Sequence, residues 1–272
     1  MDAPNIPPLA VQIRQDDFSF VSHFRFTLEE IAWMAEHLGL PEVIISPSGR
    51  ERVSRFEGHC IVLHRLAWPN RLKESKILFD MPLSSLSTLF NHILVDIHRR
   101  WKHLLLWDHV RLTPEFLVGC MDNVLLKGGL LQETFALIDG TCMEICRPGE
   151  YQQEYYSGQA FAITSLSSEH AHCPAGRQLV VYGDEGYGQS PEVQAAFRGN
   201  ILTPEQETRN VSMRRPRLSA EWAFGFVSNN FGLLNYHQKL RHYLSPIGHY
   251  YPVAVLFCNL LRCFGRHSTT QS

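Results

Sequence analysis

The chain lacks most of the features that announce a function class. Its most apolar late segment, Tyr250 to Phe264, is shorter than a bilayer span and is interrupted by Pro252, Asn259 and Arg262, so a membrane role is not expected. It is predicted instead as a buried helix packed on a sheet. Residues 1 to 12 carry one acid and three prolines rather than a basic start and an apolar stretch, which excludes a recognisable signal peptide. There is no P-loop, no dinucleotide fingerprint and no nucleophile elbow, so no small-molecule cofactor is expected. Internal repeats and low-complexity tracts are missing as well. Charge of one sign is also lacking: 25 Lys and Arg stand against 27 Asp and Glu, a formal balance of −2. A nucleic-acid binder is expected to show a basic face, so any such face here must be local.

Cysteine is sparse and odd in number. The seven residues, Cys60, Cys120, Cys142, Cys146, Cys173, Cys258 and Cys263, sit among apolar neighbours, a pattern that suits a reduced, intracellular protein. Cys142, Cys146, His170, His172 and Cys173 supply enough ligands for zinc, but their spacing fits no usual finger. Plain core thiols are the simpler reading.

What is present is a length of 272 residues with 44% apolar content, enough for one large or two small globular domains. Residues 1–24 show no sustained period and read as a loose arm. Thr27-Leu-Glu-Glu30 is a capping box that opens a helix to about Leu38, stopped by Gly39 and Pro41. A polar stretch, 46–55, leads to helices over about 57–68 and 72–79, and then, after Asp80-Met-Pro82, to a longer one. The last carries Leu86, Leu89, Phe90, Ile93, Leu94 and Ile97 at helical spacing. Short helix, tight turn, longer helix is the outline of a helix-turn-helix, although any small helical bundle shares it. Ser84, Ser85, Ser87, Thr88, Asn91 and His92 would form the exposed side of its second helix. Thr113 and Pro114 open a further helix to about Leu126, and Gly128-Gly129 marks the expected boundary between a helical domain, 25–128, and a second domain, 129–272.

The second domain holds the chemistry. Thr134-Phe-Ala-Leu-Ile-Asp-Gly-Thr141 brings one carboxylate, Asp139, out of an apolar run; Asp184 closes a second, Leu179-Val-Val-Tyr-Gly-Asp184; Glu221 opens an amphipathic segment, Ser219 to Val227. Acids at two strand ends and a helix start suit a divalent-metal phosphoryl-transfer site, because carboxylate oxygens match Mg²⁺ and Mn²⁺. Each also has a local explanation, since Asp before Gly forms turns and Glu favours a helix's first turn. Arg209, Arg214, Arg215 and Arg217 fall just before Glu221, where they could hold phosphates or simply be solvated. A further helix is expected around Pro191 to Phe197.

The wording around these acids resembles the DDE superfamily endonucleases of the PIF/Harbinger type, transposase-derived nucleases. The matching pieces are Ile138-Asp-Gly-Thr141, Ile145-Cys-Arg-Pro148, Tyr155-Tyr-Ser-Gly158, Tyr182-Gly-Asp-Glu-Gly-Tyr187, Phe197-Arg-Gly199, Leu202-Thr-Pro-Glu-Gln206 and Ala220-Glu-Trp-Ala-Phe-Gly225. Weaker matches extend the resemblance from about residue 25 to 265. It implies an N-terminal helix-turn-helix-like bundle followed by an RNase H-like domain, an α+β or α/β chain overall. It further implies Asp139, Asp184 and Glu221 as catalytic metal ligands for Mg²⁺ or Mn²⁺, DNA as substrate, an accessory DNA-binding protein as partner, and nuclear localisation.

One departure stands out. After Tyr156-Ser-Gly158 the family continues with a basic stretch, two more strands and a His-Asp pair that supplies another metal-binding acid. Here Gln159 to Gly176 follows, with no Asp and with Glu169 as its only acid. The expected domain is therefore RNase H-like but truncated, lacking part of its central sheet. Two readings stand: a metal-dependent DNA endonuclease, or a non-catalytic DNA- or protein-binding remnant of a domesticated transposase.

Overall fold

The computed structural model describes residues 17–69, 71–105, 110, 112–140, 179–236, 240 and 244–266, and over these the chain is a mixed α+β protein. It divides into two compact units. One takes the described residues of 17–105 and 226–266, the other those of 110–140 and 179–225. This partition differs from the expected 1–24, 25–128 and 129–272: the helix opened by Thr113 belongs with the sheet, and the C-terminal helix belongs with the helical unit. No described helix is long and apolar enough to cross a membrane. The strand expected over Met143–Cys146 and the segment 159–176 lie outside the described residues.

The first unit is built around one helix. α1 (Asp17–Phe24) forms inside what the sequence presents as a loose arm, because Phe20 and Phe24, one turn apart, are both buried with ring centroids 5.3 Å apart. α2 (Leu28–His37) starts at the expected capping box: the Thr27 N–H donates to Glu30 Oε2 at 2.7 Å and the Glu30 N–H to Thr27 Oγ1 at 3.2 Å. A two-stranded hairpin, β1 (Val43–Ile45) and β2 (Arg52–Ser54), follows in antiparallel register. The sequence reads as a polar loop here, since each strand has three residues and contributes one buried side chain, Ile44 or Val53. α3 (Arg55–Ala67) is capped by Ser54 and is buried on nearly every side, packing against α1, α2 and α5. α4 (Leu72–Phe79) ends at Asp80 in the left-handed conformation, φ 47°. α5 (Leu83–Trp101) then runs for 19 residues with the expected apolar face buried.

The turn between β1 and β2 is locked by a carboxylate. Glu51 Oε2 accepts from Ser48 Oγ at 2.7 Å and from Ser46 Oγ, while Oε1 accepts from Ser85 Oγ at 3.0 Å. These hydroxyl donors hold the Glu51 carboxyl down at about 2. Ser85 is thus buried and committed rather than part of an exposed recognition surface, and Asn91 Oδ1 likewise accepts from the Tyr250 hydroxyl at 3.4 Å. The outline of helix, turn and longer helix is present, but of the six residues only Ser84 and Ser87 are exposed, the others being buried or half-buried.

The C-terminal helix in this unit (Tyr250–Cys263) packs against α5 rather than on a sheet. Beside it, His249 and His98 meet Nδ1 to Nδ1 at 2.7 Å, an arrangement that needs a proton on one of the two nitrogens and not on both.

Two histidines of α3 are buried and make the unit sensitive to acid. His59 Nδ1 bonds the Arg55 carbonyl at 2.7 Å, and His64 lies edge-on to Phe24 and Phe79. Burial pushes both from the usual 6.5 down to about 4. The unfolded chain therefore protonates first as pH falls. Their contribution to stability is intact above about pH 6.5 and is lost as pH drops toward about 4. The urea midpoint should fall between about pH 7.5 and about pH 5, and the fall should shrink in a His59→Phe, His64→Phe variant. An unchanged fall in that variant would assign the acid sensitivity elsewhere.

The second unit is smaller. α6 (Pro114–Leu126) starts as expected, with Thr113 capping and Pro114 in the first turn. β3 (Thr134–Leu137), β4 (Val180–Gly183) and β5 (Val193–Ala195) form a sheet of order β3-β4-β5, parallel throughout. Central β4 is buried along its whole length, as a parallel strand covered on both faces must be. Val181 joins Leu117, Met121, Phe135 and Leu179 in one cluster, and Tyr182 joins Val124 and Met213 in another. β5 falls where a helix was expected around Pro191 to Phe197. α7 (Pro204–Asn230) contains Met213, and its last residues, from Phe226, count with the first unit. The C-terminal helix is α8.

Candidate functional site

Parallel pairing decides which acids meet. The β3–β4 ladder aligns Leu137 with Tyr182, and the Ile138 N–H extends it by donating to the Tyr182 carbonyl at 2.9 Å. Asp139 and Asp184 each lie two residues beyond that aligned pair. They therefore leave the same end of the sheet, from adjacent strands about 4.8 Å apart. Each is fixed locally by a glycine that follows: Gly140 N–H donates to Asp139 Oδ1 at 3.0 Å, and Gly186 N–H to Asp184 Oδ1 at 2.8 Å. The second bond closes an Asx turn in which the Tyr187 N–H also reaches the Asp184 carbonyl, at 3.2 Å.

That turn folds Tyr187 back over the strand end. A Cβ at Gly183 would stand 2.6 Å from Tyr187 Cδ2 and 2.9 Å from Ile138 Cγ2, so only glycine admits the ring. Burial, then the carboxylates of Asp184 and Asp139, push the Tyr187 phenol up and keep its proton on. One ring thus senses both acids. Its role was not legible in the motif, although a glycine just before a strand-end acid signals close approach of another group. Gly183→Ala should cost roughly 1–3 kcal/mol through overpacking. A urea midpoint equal to that of the unmodified chain would show that the ring has free room.

Glu221 is not part of this group. It lies in the interior of α7, not at a helix start, and its Oε1 accepts from Arg217 Nη2 at 3.4 Å with the side chain 47% exposed. The helix begins earlier because Thr203-Pro-Glu-Gln206 is a capping box: Thr203 N–H donates to Gln206 Oε1 at 3.0 Å and Gln206 N–H to Thr203 Oγ1 at 3.3 Å. Among the described residues no three His, Cys, Asp or Glu side chains come close enough together to hold a metal ion.

The four arginines separate into two kinds. Arg209 Nη2 donates to Gln194 Oε1 at 2.7 Å and its guanidinium lies 4.7 Å over the Phe197 ring, so it fastens α7 to β5. Arg217 is taken by Glu221. Arg214 and Arg215 are exposed and pair with no carboxylate among the described residues. The zinc reading of Cys142, Cys146, His170, His172 and Cys173, and Glu169 as a further acid, lie outside the described residues. Of the described cysteines, Cys60, Cys120, Cys258 and Cys263 are free thiols.

Comparison of the chain with protein-family models, with curated proteins and with solved structures finds no match.

Proposed function

We propose that the chain is a DNA-directed, divalent-metal-dependent nuclease of DDE type, with a truncated RNase H-like domain in its second unit and a helix-turn-helix-like bundle in its first. The observation that carries the reading is the register of β3 and β4, which delivers Asp139 and Asp184 side by side from one end of a parallel sheet. Such ends are where open α/β sheets collect ligands. Two carboxylates are a sufficient protein contribution for one Mg²⁺ or Mn²⁺, which otherwise keeps waters and takes substrate phosphate oxygens. A bound ion supplies Lewis-acid stabilisation of the phosphodiester and a more acidic water. The chain itself brings two acids to adjacent strand ends and folds the Tyr187 ring back over the same end. DNA as substrate, an accessory DNA-binding partner and a nuclear location belong to the same reading.

A second reading, a non-catalytic DNA- or protein-binding remnant, is favoured by one observation: Glu221, the third acid of the resemblance, is bound to Arg217 instead of joining the pair. Mn²⁺ titration followed by thermal unfolding separates the two. A ligand bound only by the folded state raises Tm, and saturation at about 100 times Kd should add roughly 5–10 °C. The rise should vanish in an Asp139→Asn, Asp184→Asn variant. No rise in the unmodified chain would leave the binding remnant.

A further inference from the structure

The exposed side of α7 carries an apolar line edged with cations. Val211, Leu218 and Trp222, spaced seven and then four residues apart, are 56%, 41% and 74% exposed. Arg214 and Arg215 lie between them, one to each side, all within an arc of roughly 100° around the helix axis. Lys127 of α6 reaches the neighbouring flank, its Nζ donating to Ser219 Oγ at 2.8 Å. Of the acids of α7, Glu207 stands toward the N-terminal end of this side, and Glu221 is already paired with Arg217.

We propose that this side of α7 binds single-stranded nucleic acid, with Trp222 stacking on an unpaired base and Arg214 and Arg215 holding the phosphates beside it. The ligand class rests on the nucleic-acid reading above, but the carboxylates take no part. Charge selects a polyanion. The centre of the line selects an unpaired strand: Val211 and Leu218 offer no donors or acceptors with which to read base edges in a duplex groove, whereas an exposed indole and apolar side chains cover base faces that a duplex hides within its stack. Aromatic stacking flanked by cations is the recurrent solution for single strands.

The test is fluorescence anisotropy of a labelled oligo(dT) of about 15 nucleotides, and of a duplex of the same length, on the full chain in EDTA. The single strand should bind tighter than the duplex. Trp222→Ala should weaken it by roughly 5- to 150-fold, with affinity restored by Trp222→Phe. Arg214→Gln with Arg215→Gln should flatten the dependence of log affinity on log salt by about 1.4. No binding of the single strand, preference for the duplex, or unchanged affinity in Trp222→Ala would each overturn the proposal, the last pointing to an apolar protein partner for this face. Trp222→Ala should leave the Mn²⁺ shift of Tm intact, and Asp139→Asn with Asp184→Asn should leave oligo(dT) binding intact. The two readings therefore fail independently.

Discussion

Asp139→Asn or Asp184→Asn, singly, is expected to reduce Mn²⁺-dependent nicking of supercoiled plasmid by at least roughly 100-fold. The expectation follows from how the site is built. Each carboxylate keeps its place by a bond from a following glycine N–H to Oδ1, and an amide oxygen can accept the same bond. The substitution therefore removes charge while preserving the turn. Neither acid is itself a paired ladder residue, since the pairing stops at Ile138 on one strand and at Gly183 on the other, so the strands themselves are untouched. A single asparagine that nicks as fast as the unmodified chain would assign the activity to another site or another protein. Glu221→Gln tests the third acid: an unaffected rate means that the site operates with two acids, and a comparable loss means that Glu221 leaves Arg217 when DNA binds.

Phe257→Ala should lower stability by roughly 3–5 kcal/mol, read from urea unfolding. The ring is buried in α8, with its centroid 6.2 Å from that of Phe26, just before α2, and 6.1 Å from that of Phe231, just after α7. Truncation removes a ring that contacts both segments and leaves a void that three separate stretches of chain would have to close. Leu244→Ala provides the comparison, since that side chain is exposed and its loss should change little. A cost below about 1 kcal/mol at Phe257 would mean that α8 is not integral to the first unit's core.

The helices were legible where local signals agreed. At α2 a cap and a stop coincide within a dozen residues, at α6 a cap and a first-turn proline mark the start, and each reading needs nothing from the rest of the chain. The hairpin β1–β2 was not, because one buried side chain per strand makes no pattern. α7 failed for a different reason. The amphipathic stretch that signals it begins only at Ser219, whereas the helix starts at the capping box of Thr203 and runs on through Pro216. α8 was recognised as a buried helix but assigned to the wrong neighbour, since an apolar face does not specify what covers it. At the candidate site the strand-end positions of Asp139 and Asp184 could be read locally. Their adjacency could not, because it is a property of pairing between distant strands. The pairing of Glu221 with Arg217 follows from their spacing, four residues apart on one helix, whereas the resemblance implies a metal ligand there.

The division of the chain also bears on the order in which it acquires structure. The first unit joins residues up to 105 with residues from 226 onward, and the Arg25 side chain donates to the Asn230 carbonyl across 205 positions of sequence. During synthesis the α1–α5 segment leaves the ribosome long before Phe231 and α8 arrive to cover Phe26 and α3. The sheet-bearing unit can close first, while the helical one waits with its core open to solvent. Contacts of such sequence separation slow folding, and exposed apolar surface during the wait invites association with other chains. Folding of the first unit therefore waits on residues that are made only after the whole of the second.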